Sequence, residues 1–421
     1  MASSTVDSAP SLFAKLGRVS GGTQVLIAMI IGASAGVIFG ERAAVVQPLG
    51  DIFIRLLLMA AIPLVFFNLV AGLTTLSDVK VLGRLGVRVL AYYTVTTLVA
   101  LAIGLTVMQL LQPGIGMTLR DEVSGNFGQV PSLMQVVVDL IPRNVFQALA
   151  EGKVSQLVVF ALFLGVSVLL LPAEHKSVCE KAFNAFAELF RKLVGIVLKF
   201  GPIGIGALTA NTVGVYGAKL FGPLSVFIGG VWIALSVMAA VYLLVLYATT
   251  RMTPRAFFSQ AAPVFPTALA TCSSMATTAV SLEVAGERMK IPRRIYAFTI
   301  PLGAQINKDG TSIFLASLLL FTAQAAGVSF GFGTIVTILL LGLLLSEGSG
   351  GIPGSGIVIG LIFVKAFNLP VEIAAIVVGV YRLIDMGTTM VNCMGDLIAT
   401  KIIAHYEPAE PLGAQPEVTA G

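Results

Sequence analysis

Apolar and polar positions along the chain alternate on the scale of a membrane, not of a soluble core. Runs of about 20 apolar residues, the length that spans a bilayer, recur from Thr23 to Phe39, Ile52 to Leu73, Arg88 to Leu110 and Phe221 to Tyr247. Cys179 to Leu208 is amphipathic first and apolar later, which predicts one long helix rising from the cytoplasm. Val130 to Leu171 is interrupted by Pro142, Gly152 and Lys153 and predicts a broken segment. In the C-terminal half the apolar runs carry polar centres. Ala256 to Leu282 breaks at Thr271–Thr278, Ile295 to Phe321 at Gln305–Thr311, and Thr334 to Phe363 at Ser346–Gly356. A polar break inside a membrane segment is tolerated only where it is buried or lines a cavity. The order is hairpin then broken helix, and it occurs twice. Interrupted segments at corresponding places in two halves point to a transporter site built on inverted repeats.

The last apolar region, Val371 to Ala404, holds the densest polar stripe. At about 100° per residue, Asp385, Thr389, Asn392 and Asp396 fall within about 60° of one another, with Thr388 and Arg382 at the edges. A helix–helix contact explains one such residue; two carboxylates on one face call for a polar cavity.

Composition fits this picture. The 421 residues are 57% hydrophobic and 11% charged, against about 25% charged in a soluble protein. The net charge of +5 is scattered over short connections, so no nucleic-acid partner is expected. Its clusters alternate between loops, and the positive-inside rule puts both termini in the cytoplasm. The polar first 20 residues lack an apolar leader core, which suggests a mature protein of the inner membrane. Cys179, Cys272 and Cys393 are far apart and read as free thiols, and His175 and His405 offer no metal constellation. An intramembrane protease is disfavoured, because Cys393-Met-Gly-Asp396 lacks the first glycine of a GxGD-like motif. Lys308 leaves a Ser/Lys pair chemically open, but the duplicated breaks argue for a carrier.

The four breaks carry suitable chemistry. Half-helix N-termini suit a carboxylate. Freed carbonyls with Asp309, Asp396, Asn307 and Asn392 suit a desolvated alkali cation, which takes oxygen ligands. Ser273, Ser274 and Thr311 add neutral hydroxyls, and Asp385 calls for a cationic group such as a substrate ammonium.

With these residues in place, the chain from Leu12 to Glu407 resembles the glutamate/neutral amino acid/dicarboxylate transporter family, the dicarboxylate/amino acid:cation symporters. The resemblance rests on Cys272-Ser-Ser-Met-Ala-Thr-Thr278, Asn307-Lys-Asp-Gly-Thr311, Gly351-Ile-Pro-Gly-Ser-Gly356, and Asp385, Thr389, Asn392 and Gly395-Asp396. It implies an all-α polytopic protein with eight membrane helices, two re-entrant hairpins and a homotrimer. It also implies an elevator motion of a transport domain (83–112, 221–254 and 255–405) against a scaffold (23–82 and 130–220), between cytoplasmic tails at 1–22 and 406–421. By position, Asp385 holds a substrate ammonium, while Thr389, Asn392, Thr311 and Ser274, with Ser273 and Thr388 nearby, hold the remainder. The Gly303 carbonyl, Asn307, Asn392 and Asp396 form one sodium site. Tyr93, Thr96, Thr97, Asn307 and Asp309 form another. The second hairpin is the gate and carries Ser346, Glu347 and Ser349, and its Ile352 and Gly356 join the substrate-binding residues. No cofactor is implied beyond Na+, or H+, as coupling ion.

Two departures set further expectations. Thr388 stands where acidic-substrate members carry an arginine, and Asp385 is retained, so a small neutral amino acid of the serine, alanine or threonine type is expected. The alternative is an acidic amino acid or dicarboxylate held by Arg382. At the second locus Gln305, Lys308 and Glu347 replace residues around a sodium ion. This suggests that Lys308 takes the cation's place with Glu347 as counter-charge, or that the two form a plain latch.

Overall fold

A computed structural model describes residues 21–74, 79–117, 138, 141–151, 154–217, 221–347, 354–378 and 380–407. Among them all regular structure is helical. Three stretches, Ile27–Leu56, Gly86–Leu111 and Gly222–Thr250, are long and apolar enough to cross a membrane, and two bent pairs raise the number to five. With the apolar composition this makes the chain a polytopic membrane protein. Among the described residues, length and composition do not account for all of the eight crossings expected from the sequence. Ile62–Gly72, Val159–Leu169, Phe332–Glu347 and Ser355–Ala366 are apolar but shorter than a crossing requires.

The first half packs helices α1 (Gly21–Phe39), α2 (Gln47–Thr74), α5 (Val154–Leu169), α6 (Ala173–Leu198) and α7 (Gly201–Tyr216). A short helix, α4 (Val145–Glu151), lies against α5. Gly32 and Gly36 of α1 stand where no side chain fits. A Cβ on Gly36 would stand 2.6 Å from the Ala210 carbonyl oxygen, and one on Gly32 would overlap the Gly206 carbonyl. Helices α1 and α7 therefore touch backbone to backbone. The single helix expected over Cys179–Leu208 is instead two, α6 and α7, bent by 55°. Gly201 and Pro202 start the second one, and proline fits a first turn but not a helix interior. Between α6 and α2, Arg191 donates to Asn68 Oδ1 at 2.9 Å and pairs with Glu188 at 2.7 Å.

The second half is built around α13 (Asp309–Ala325), in which every residue except Gln324 is buried. A helix apolar on all sides must be enclosed. Its neighbours are α3 (Val79–Leu111), α8 (Phe221–Thr250), α14 (Phe332–Glu347), α15 (Ser355–Ala366) and α17 (Tyr381–Tyr406). Gln324 clips the far end, accepting from the Gly114 amide at 3.1 Å and donating to the Met108 carbonyl at 3.0 Å. The segment expected as the first hairpin follows α9 (Pro254–Ala261) and consists of α10 (Val264–Thr271) and α11 (Ser274–Glu283). They turn at Cys272, which takes the left-handed conformation at φ 49°. The next break separates α12 (Arg293–Ile306) from α13 at Asn307 and Lys308. The last apolar region is not one helix. It divides into α16 (Val371–Val378) and α17, with an 80° bend between them. The polar stripe is thus the opening half of α17.

Candidate substrate and cation site

On α17 the stripe faces inward. Asp385, Thr388, Thr389, Asn392 and Asp396 are all buried. The opposite side is kept small: a Cβ on Gly387 would meet Leu235 and Trp232 of α8 at 2.8 and 3.0 Å. That contact fixes the rotation of the helix and aims the stripe at the α12/α13 break.

Asn392 joins the two. Its Oδ1 accepts from the Gly310 amide at 2.8 Å, and its Nδ2 donates to the Thr311 hydroxyl at 3.3 Å. One partner is an amide of the first turn of α13, where N–H groups lack helical acceptors. Asn307 answers from the break, donating to the Asn392 carbonyl at 3.0 Å and to Asp396 Oδ1 at 2.9 Å. Gly303 lies beside the same carboxylate: its added Cβ would overlap Asp396 Oδ1 and stand 2.5 Å from the Tyr93 hydroxyl.

Asp309 anchors the α3 side. Its Oδ1 accepts from the Thr97 hydroxyl at 2.7 Å, and its Oδ2 accepts a short bond from the Tyr242 hydroxyl. Thr96 donates to the Tyr93 carbonyl at 3.2 Å and lies within reach of Asp309. Three buried oxygens of this cluster have no hydrogen-bond partner among the described residues: the hydroxyls of Tyr92 and Tyr93 and Oδ1 of Asn307. Buried polar atoms are normally satisfied. A group of orphan oxygens beside two buried carboxylates suits a bound cation.

At the other end of the stripe, Asp385 accepts from the Tyr381 hydroxyl and the Gly354 amide, each at 3.1 Å. The Thr388 hydroxyl donates to the Asp385 carbonyl at 3.1 Å. Arg382 is half-buried and donates to the Ala270 carbonyl at 3.1 Å, which ties α17 to the first hairpin. Ser273 and Ser274 are buried, and the Ser273 hydroxyl caps α11 by accepting from the Ala276 amide at 3.1 Å. Gly356 is held close to Tyr381, since any Cβ there would overlap the tyrosine hydroxyl.

At the second locus the expected pairing is absent. Among the described residues no ion pair joins Lys308 and Glu347: Lys308 is fully buried and donates to the Ala304 carbonyl, while Glu347 is half-buried at the end of α14. A four-carbon stem folded back over the preceding turn explains the choice. Gln305 is half-buried, and Ser346 is buried and donates to the Leu343 carbonyl at 3.0 Å. Ser349 and Ile352 lie outside the described residues. Sequence reasoning missed Tyr242 and Tyr381. Tyrosines inside apolar helices read as core, and only the fold shows that each meets a carboxylate.

Comparison with known proteins supplies the family. The model of the sodium:dicarboxylate symporter family matches residues 22–406. The chain belongs to that family. The symporter is 30% identical over 396 residues to the proton/glutamate-aspartate symporter of Bacillus subtilis (strain 168), covering 92% of this chain and 94% of the relative. It is 31% identical over 395 residues to the C4-dicarboxylate transport protein of the same organism, covering 91% and 93%. The proton/sodium-glutamate symport protein of Bacillus caldotenax is 29% identical over 402 residues, covering 91% and 94%. The symporter is accordingly a membrane transporter and not an enzyme.

Proposed function

We propose that the chain couples a cation gradient to the uptake of a substrate bearing a distal carboxylate, an acidic amino acid or a C4-dicarboxylate. The observation that carries this reading is Arg382, a guanidinium on the Asp385 end of the stripe, bonded to the Ala270 carbonyl. A guanidinium gives a carboxylate a charge-assisted partner. The relatives' names point the same way: glutamate, aspartate and C4-dicarboxylates are the substrates those names carry. This replaces the neutral amino acid expected from Thr388.

The neutral reading stands second on one observation. Thr388 carries a neutral hydroxyl, which donates to the Asp385 carbonyl of its own helix, and a neutral hydroxyl offers a distal carboxylate no cationic partner. Proteoliposome counterflow separates the two. Aspartate, glutamate and succinate are expected to compete with one another for entry, and serine and alanine to compete weakly. Strong competition by serine alone reverses the order.

In this reading Asn392, Thr311, Thr389, Ser273 and Ser274 orient the substrate, and Asp385 receives its ammonium where it has one. The Gly303 carbonyl, Asn307, Asn392 and Asp396 hold one cation, Na+ or H+. Asp309, Thr97, Thr96 and Tyr93 hold another, supported by the orphan oxygens at that cluster. The second hairpin gates the site. The helices around α13 move as a transport domain against the α1–α2–α5–α6–α7 group, within a homotrimer in the inner membrane with cytoplasmic termini. Packing that is denser within each helix group than between them supports that division.

A further inference from the structure

Lys308 is one of the largest fully buried side chains, with 1% of its surface exposed. An ammonium removed from water costs several kcal/mol unless it is paired and hydrogen-bonded. Lys308 donates to the carbonyl of Ala304, in the last turn of α12, which ends at Ile306. The C-terminal turn of a helix concentrates unsatisfied carbonyls and negative potential. The Asp396 carboxylate is within electrostatic reach, and Asp309 is the next residue in the chain. A helix end, a freed carbonyl and a nearby carboxylate are the surroundings a bound monovalent cation needs, and the ammonium already stands there.

Two buried carboxylates flank the α12/α13 break: Asp309 begins α13, and Asp396 accepts from Asn307. Lys308 offsets one of their charges. We propose that Lys308 is a built-in cation: it supplies one positive charge that a free ion must otherwise bring, and so lowers by one the number of cations bound by the symporter. The ammonium is covalently held, so it is present whether or not substrate is bound and is never released with it. This rests on the cation-coupled reading above, but it fixes a quantity which that reading leaves open.

The test removes the charge and keeps the volume. Purified wild type, Lys308→Met and Lys308→Arg are unfolded thermally across a NaCl series, with choline chloride holding ionic strength constant. The same series is repeated with LiCl and KCl. Each additional bound ion steepens the dependence of stability on the logarithm of cation concentration. Lys308→Met is expected to show a slope steeper by one ion than wild type, and Lys308→Arg the wild-type slope. If Lys308→Met folds only in the presence of an alkali cation, that rescue also supports the proposal. Equal slopes for Lys308→Met and wild type overturn it, as does a Lys308→Met protein that no alkali cation restores. The readout needs no transport. Equal slopes beside cation-driven uptake sink this proposal alone, whereas a slope difference in a protein that takes up no acidic substrate sinks the substrate reading alone.

Discussion

The backbone amide of Gly354 donates a 3.1 Å hydrogen bond to Asp385 Oδ2, joining the start of α15 to the start of the last helix. The other oxygen of Asp385 takes the Tyr381 hydroxyl at 3.1 Å. The carboxylate is thus shared between the start of α15 and its own helix. On the proposed reading, a substrate ammonium at Asp385 would share this carboxylate with the Gly354 amide, so that binding would bear on the position of α15.

Removing the carboxylate releases the start of α15 from α17. A hydrogen bond to a charged group contributes about 1.5–3 kcal/mol, or roughly 10- to 100-fold in an opening equilibrium. In a Ser355→Cys background, Asp385→Ala is expected to raise the rate of thiol labelling by that order. An unchanged labelling rate shows that other contacts hold the start of α15.

Much of this arrangement was legible in the sequence, and the reason is cost. A carboxylate inside an apolar helix is expensive, so Asp385 and Asp396 announce a polar interior by their positions in the chain alone. The breaks at Cys272–Ser273 and Asn307–Lys308 were legible for the same reason. The bends were not. Helices α6 and α7 are both apolar enough to continue one another, and only the Gly201–Pro202 start of the second turns the chain. The partner of Lys308 was also hidden, because spacing along the sequence does not say whether a flexible ammonium reaches forward to Glu347 or back to Ala304. Arg382 and Thr388 pull the substrate assignment in opposite directions, and spacing could not weigh one against the other.

Tyr242 holds Asp309 from α8, so Tyr242→Phe leaves one carboxylate oxygen without its donor. An unsatisfied buried group costs about 1–3 kcal/mol. Cation affinity, read as the half-saturating concentration for uptake, is expected to change roughly 5- to 100-fold while the protein stays folded. Gly395→Ala is expected to act at the same point, because its Cβ would overlap the Tyr242 hydroxyl and stand 2.6 Å from Asn307 Nδ2. Unchanged cation affinity in both variants separates Tyr242 from the cation site.

The α1–α7 contact is a close backbone packing that contains none of the stripe residues. Gly36→Val forces apart backbones that meet at the Ala210 carbonyl. Overpacking of this kind costs about 1–3 kcal/mol. The expected result is a lower thermal midpoint with an unchanged KM for substrate. A changed KM at unchanged stability links this contact to the transport cycle instead.

Arg382 discriminates between substrate classes. Arg382→Gln retains a donor for the Ala270 carbonyl but removes the charge. KM for aspartate or succinate is expected to rise roughly 10- to 100-fold, the scale of a charge-assisted hydrogen bond, while the protein remains folded. Equal affinity in the variant and wild type assigns Arg382 to holding the first hairpin alone.

Accumulation against a gradient tests the central claim most directly. Purified protein in proteoliposomes is given labelled aspartate or succinate, with an inward Na+ gradient, an inward proton gradient, or neither. Uphill accumulation of at least one of the two under a cation gradient, abolished by an ionophore that collapses it, is the expected result. Entry that never exceeds the outside concentration under either gradient, or accumulation of serine with neither acidic substrate taken up, contradicts it.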